Sequence, residues 1–295
     1  MSRTIVVGLD GSPESLAAAE WAALEALRTD AHLRVVHAWL WRPRVYAPLA
    51  GVSIPPPTAD DPERVWAERL PHETAAQLAA LHPGLSVSAE RVAEQPVTVL
   101  LAAAENTALL VLGSRGLGGV HGFLVGSVAQ ALVARSRTPI VLVREGAAPE
   151  GDHETRDVVL GLDLEHPDAS VIAFALRAAT HRATDLRVVH GLSLPPYYGY
   201  SGASGAGVKE ELLAEAQRQL TEVLSPWREK FPDVQVREQA VIGGAGPHLV
   251  EASQNAALVV IGRRNRQSPV GAHIGPVTQA VMHHSTAPVA VIPHD

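Results

Sequence analysis

The chain has 295 residues, 46% of them apolar and 19% charged, so its length divides into two domains of ordinary size and its composition excludes intrinsic disorder over most of it. Cysteine is absent, which removes disulfides, thiolate metal sites and thiol catalysis together. The net charge of −7 is spread as 12 basic against 14 acidic residues through Ala148 and 12 against 17 after it, so neither half carries the basic field that duplex DNA requires. No stretch reaches the roughly 18 uninterrupted apolar residues of a membrane span, and the run Ile5-Val6-Val7 is too short for a signal peptide. A cytoplasmic protein with no nucleic-acid or membrane partner is expected.

Short β-branched runs alternate with longer helical patterns, the sign of a parallel sheet with crossover helices. The first strand is predicted over 4–9, and a helix over 13–28 with Ser12 as N-cap and Pro13 at its first position. A strand over 33–39 leads into residues 41–62, which hold six prolines and are too long for a simple connection. Then come a helix over 63–81, a strand over 86–92, a helix over 96–105, a strand over 108–112, a helix over 127–136 and a strand over 139–143. Between the last two strands, residues 113–127 carry six glycines in fifteen positions. Glycines let a backbone approach a polyphosphate, and Gly126-Ser127 at a helix start would add amide donors and a hydroxyl. Glycine content alone leaves a flexible surface loop as an equal reading, since neither the P-loop lysine nor a strict G-x-G-x-x-G is present.

The pattern then repeats. Ile5-Val6-Val7-Gly8-Leu9-Asp10 is answered by Val158-Val159-Leu160-Gly161-Leu162-Asp163, and Leu33-Arg34-Val35-Val36-His37 by Leu186-Arg187-Val188-Val189-His190, both at an offset of 153. Leu109-Leu110-Val111-Leu112-Gly113 recurs as Leu258-Val259-Val260-Ile261-Gly262 at 149. The chain is therefore an internal duplication, read as domains 1–147 and 148–295 with a Gly/Pro/acid-rich joint near 145–156. His37 and His190 each end an apolar strand with no nucleophile nearby and are expected to be structural. His283-His284 lack metal-ligand spacing, and no metal site is predicted. All four tyrosines, Tyr46, Tyr197, Tyr198 and Tyr200, fall in the two Pro-rich stretches that follow the second strand of each half.

The spacing Gly113-x2-Gly116-x9-Gly126-Ser127, together with Val7-Gly8-Leu9-Asp10, resembles the ATP-binding class of universal stress proteins, and the resemblance covers nearly the whole chain twice. It implies an α/β fold of two tandem doubly wound, Rossmann-like modules. Each would be a five-stranded parallel sheet of order 3-2-1-4-5 flanked by helices, with ATP, optionally with Mg²⁺, at the carboxyl edge. It also implies a homodimer through the terminal strands; the rival is that these strands cover each other within one chain. By position, Gly8, Leu9 and Asp10 would border adenine and ribose, with a helix-capping acid as the other reading of Asp10, and Ala38 would offer backbone groups to the base. Leu112 and Gly113 would flank the ribose; Ser114, Arg115, Gly116 and Gly119 would line the phosphate path; Gly126, Ser127 and Val128 would close it.

The second half offers Gly161, Asp163, Gly262, Asn265 and Gly275 at the matching places, but departs twice: Asn265 replaces a glycine and Pro276 replaces the serine. Arg263, Arg264 and Arg266 are candidates to compensate by charge, or form a solvated basic loop. The expected function is an ATP-binding regulator or sensor in stress response that works from the first half. The alternatives are a slow ATP-hydrolysing enzyme and a nucleotide-independent scaffold, and no catalytic residue is assigned.

Overall fold

The structure is a computed structural model that describes residues 3–40, 61–114, 125–146, 156–193, 205–265 and 274–295. The first half runs β1 (Thr4–Leu9), α1 (Pro13–Thr29), β2 (His32–Ala38), α2 (Pro62–Leu81), β3 (Val87–Val92), α3 (Pro96–Ala104), β4 (Leu109–Gly113), α4 (Ser127–Arg135) and β5 (Ile140–Val143). The second runs β6 (Asp157–Gly161), α5 (Ala169–Arg182), β7 (Leu186–Leu192), α6 (Gly205–Lys230), β8 (Val236–Ile242), α7 (Ala245–Ala252), β9 (Ala256–Arg264), α8 (Pro276–His284) and β10 (Val289–His294). Among the described residues, no helix is long and apolar enough to cross a membrane. The four tyrosines lie outside the described residues.

The strands carry continuous rather than alternating apolar runs because helices cover both faces of the sheet. Ile5, Val7 and Leu9 point into one core under α1, while Val6, Leu110 and Leu112 point into the other under α3 and α4. Helix α1 begins as the sequence suggests: Ser12 Oγ accepts from the Ser15 N–H at 3.2 Å and Pro13 takes the first turn. Both α1 and α5 end on a left-handed residue, Asp30 (φ 48) and Ala183 (φ 50), which stand 153 positions apart. The duplication thus extends to a backbone conformation that alanine adopts at a cost.

The ten strands form one sheet in the order β3-β2-β1-β4-β5-β10-β9-β6-β7-β8. Every neighbouring pair is parallel except β5 and β10, which run antiparallel with Val289 opposite Leu142 and Val291 opposite Ile140. Here the expectation of a homodimer through the terminal strands needs correction. Each terminal strand already has a neighbour on both sides, β4 and β10 for one and β9 and β5 for the other, so neither has an edge left for a second chain. The rival reading describes the structure.

Polar contacts reinforce this junction. Arg182 at the end of α5 reaches Glu25 of α1 at 2.7 Å, both side chains nearly buried, and its guanidinium lies 5.6 Å from the Trp21 ring centroid. Arg263 of β9 donates to the carbonyls of Ala134 (3.3 Å) and Ser136 (2.6 Å) at the end of α4. Arg144, just past β5, donates to the carbonyls of Met282 (3.0 Å) and His283 at the end of α8. Each half therefore supplies an arginine to the negative end of the other half's last helix.

Candidate functional site

In a doubly wound sheet the ligand edge is where the strands end and their helices begin. In the first half this edge opens with a tightly wound turn. Asp10 Oδ1 accepts from the Ser12 N–H (3.0 Å) and Oγ–H (2.6 Å), and Ser15 Oγ accepts from the amides of Asp10 (3.3 Å) and Gly11 (3.1 Å). The carboxylate thus serves the turn and the helix cap. Gly8 is explained by packing, since a Cβ there would lie 2.8 Å from Leu112 Cδ2 and 3.1 Å from Leu100 Cδ1. Gly161 repeats this against Leu249 at 2.7 Å.

One strand over, His37 is 3% exposed and its Nδ1 lies 2.7 Å from the Leu9 carbonyl oxygen. His190 makes the same contact with the Leu162 carbonyl at 2.9 Å. A carbonyl only accepts, so in each ring Nδ1 carries the hydrogen and ties the end of one strand to its neighbour. Burial lowers the His37 pKa, and the nearby Arg91 adds to this; the Leu9 carbonyl and the Asp10 carboxylate act in the opposite sense without reversing it.

The far wall of this edge is β4 and α4. Leu112 is buried, Gly113 is half-buried, and Ser114 is buried with no hydrogen-bond partner for its Oγ among the described residues. The Gly126 N–H donates to the Ser114 carbonyl at 2.8 Å, so the two ends of the glycine-rich loop are pinned together. Gly126 is the N-cap of α4 and no side chain among the described residues caps the helix; Ser127 is exposed at its first position and Val128 follows half-buried. Backbone amides at an uncapped helix start favour an anion. Ala38 closes β2 opposite Val92. Arg115, Gly116 and Gly119 lie outside the described residues.

In the second half the same edge forms a cleft of about 520 Å³, bordered by Asp163, His190, Gly262, Arg264, Gly275 and His294 among others. Arg264 donates to Asp163 Oδ2 at 3.0 Å, and Asp163 Oδ1 accepts from the Glu165 N–H at 3.0 Å. Burial opposes charge on Asp168, but hydrogen bonds from the Ser170 hydroxyl and from the amides of Ser170 and Val171 outweigh it and hold the carboxyl below its ordinary range. Pro276 occupies the first position of α8 after Gly275, and the Thr278 hydroxyl is directed back to the Gly262 carbonyl at 3.2 Å. Asn265 accepts from Arg263 at 2.8 Å and donates to Asp295 at 3.2 Å. Asp163, Glu165 and His166 place one ligand atom each within 4.8 Å of one another, all three exposed.

Residues 1–144 and residues 154–293 each match the model of the universal stress protein family. The chain belongs to that family. Universal stress protein Rv2005c of Mycobacterium tuberculosis is 32% identical over 292 residues, covering 97% of this chain and 96% of the relative. Universal stress protein Rv1996 of the same organism is 31% identical over 321 residues, covering 99% and 96%. The crystal structure of a universal stress protein from Archaeoglobus fulgidus superposes over the full length of both chains with a TM-score of 0.69 at 17% identity, a likeness of fold.

Within this universal stress protein Arg263 and Arg264 both border the cleft of the second half, and each is engaged by other groups. Arg263 extends its guanidinium into the other half, and Arg264 is paired with Asp163; Arg266 lies outside the described residues. The structure also adds a residue that sequence reading passed over. Trp66 of α2 lies over Gly11, whose φ of +84° and lack of a Cβ make room for it: a Cβ would stand 2.7 Å from Trp66 Cζ2. A tryptophan on the otherwise polar face of α2, 42% exposed, was the available signal.

Proposed function

We propose that this universal stress protein is an ATP-binding regulator whose working site is the carboxyl edge of β1 and β4 in the first half. The observation that carries the reading is the closed base of the glycine-rich loop: the Gly126 N–H on the Ser114 carbonyl sets the uncapped start of α4 beside the end of β4. In this reading the amides at the start of α4 and the Ser127 hydroxyl meet the phosphates, and Gly113 borders the ribose. Ala38 presents its backbone to the base, and Asp10 holds the turn that supports it. The same positions in the second half argue for weaker binding. Pro276 supplies neither a hydroxyl nor an amide hydrogen, Thr278 is turned to Gly262, and both described arginines have other partners.

Regulation rather than turnover fits the groups that border the edge. His37 and His190 both spend their Nδ1 hydrogen on a strand carbonyl, which leaves them holding backbone rather than relaying protons. Two absent hydrogen bonds to a charged phosphate, at roughly 1.5 to 3 kcal/mol each, correspond to about a hundredfold or greater difference in affinity between the halves. The test is calorimetric titration of ATP into the intact chain and into the Gly113→Ala, Ser127→Ala and Gly262→Ala variants. The tighter site should weaken in the first two and persist in the third, where the new Cβ meets His294 instead. Loss of the tighter site in Gly262→Ala alone would assign it to the wrong half.

A further inference from the structure

The base end of the first half holds a buried acceptor that no group among the described residues uses. Because the Leu9 carbonyl fixes the hydrogen on Nδ1, His37 Nε2 is a bare lone pair, and it is buried without a hydrogen-bond partner among the described residues. Buried polar atoms are seldom left this way, and one at a ligand edge marks a place where a donor is missing. Burial also keeps the ring neutral, so that the lone pair stays available near neutral pH.

What lies against that ring is an aromatic side chain with one side open to solvent. The Trp66 ring centroid is 5.6 Å from that of His37 with the planes at 82°, an edge-on contact, while the indole rests on Gly11 at the end of β1. The second half keeps the histidine, His190, but has lost the indole and its seat. Leu164 stands where Gly11 would be, at the offset of 153, and Glu215 stands where Trp66 would be, at the offset of 149 that also matches buried Ala67 to buried Ala216. The one tryptophan of the second half, Trp227, stacks on Phe231 at 6.4 Å.

We propose that Trp66 and His37 are the base-recognition pair of the first half: an incoming aminopurine stacks on the Trp66 indole, moves its edge away from His37, and donates its exocyclic N–H to His37 Nε2. Stacking a planar base on indole and meeting a buried acceptor are separate gains, one general to heterocycles and one specific to those with a donor. This deepens the nucleotide reading of the first half and rests on it.

Three probes on the full chain separate the parts: adenosine, purine riboside, which lacks the exocyclic amine, and inorganic tripolyphosphate. Adenosine and ATP should change the tryptophan emission of the wild type, and a Trp66→Leu variant should lose that change. Adenosine should bind the wild type at least tenfold more tightly than purine riboside, a comparison that needs no folded variant. His37→Phe should erase this preference while tripolyphosphate binding stays as it was. ATP binding that is equally strong in the wild type, Trp66→Leu and His37→Phe, with equal affinity for the two nucleosides, would overturn the pair and leave the nucleotide reading standing. Binding of ATP by Trp66→Leu but not by the wild type would make the indole a plug and overturn its role as a platform. No binding of any probe to the wild type or to Trp66→Leu would overturn both readings.

Discussion

The turn after β1 and the turn after β6 begin with the same three residues, Gly-Leu-Asp, and then part. In the first half Asp10, Ser12 and Ser15 close a compact hydrogen-bonded turn, and α1 starts three residues after the aspartate. In the second, Glu165 and Asp168 stand where those serines were, α5 starts six residues after Asp163, and the aspartate faces outward to Arg264. At the opposite wall Ser127 has become Pro276. Strand order and the strand-tying histidines survive in both. The scaffold thus tolerates change at its carboxyl edge where the residues that differ, Ser12, Ser15 and Ser127, belong to neither apolar core.

The comparison holds only while the junction keeps the halves together, and the largest effect should come from breaking it. Arg182→Met leaves the Glu25 carboxylate, whose side chain is 9% exposed, without its nearest cation. Denaturant unfolding should show a loss of about 3 kcal/mol, and the double variant Glu25→Leu/Arg182→Met should recover most of it. A loss below about 1 kcal/mol would mean the halves do not rely on that contact.

Restoring the second half should have the next largest effect. Asn265→Gly combined with Pro276→Ser returns one glycine, one amide and one hydroxyl, and should tighten ATP binding there about tenfold or more, as read by calorimetry with the first site blocked by Gly113→Ala. Unchanged affinity would place the deficit in the acidic turn instead.

The smallest effect is a slope. The folded state holds the His37 pKa below the ordinary 6.5, so the unfolded chain binds the proton first on acidification. The contribution is fully present above about pH 6.5 and is lost as pH falls toward the folded value; His181, lowered mainly by burial, acts with the same sign. His37→Gln should flatten the acid limb of a stability-against-pH curve below about pH 6.5.

Much of the fold was legible because its signals are local. The buried strands read as β-branched runs, Ser12-Pro13 marked the start of α1, and the offsets of 153 and 149 revealed the duplication. What stayed hidden depends on distant partners. Arg263 reads as a loop cation until β5 and β10 pair and bring the end of α4 beside it. Trp66 lies 55 residues from the glycine that seats it, on a helix whose pattern does not mark it as buried. Asp10 fitted both a ligand acid and a capping acid, and only the Ser12 contacts exposed its structural duty.

The antiparallel pairing of β5 with β10 has a further consequence. An association of two identical chains through this surface would carry every substitution twice, so a proline at one helix start would also appear at the other. Joining the copies in one polypeptide removes that constraint and holds their stoichiometry fixed at any dilution. One copy can then keep a demanding site while the other drifts, with its companion still bound as a structural wall.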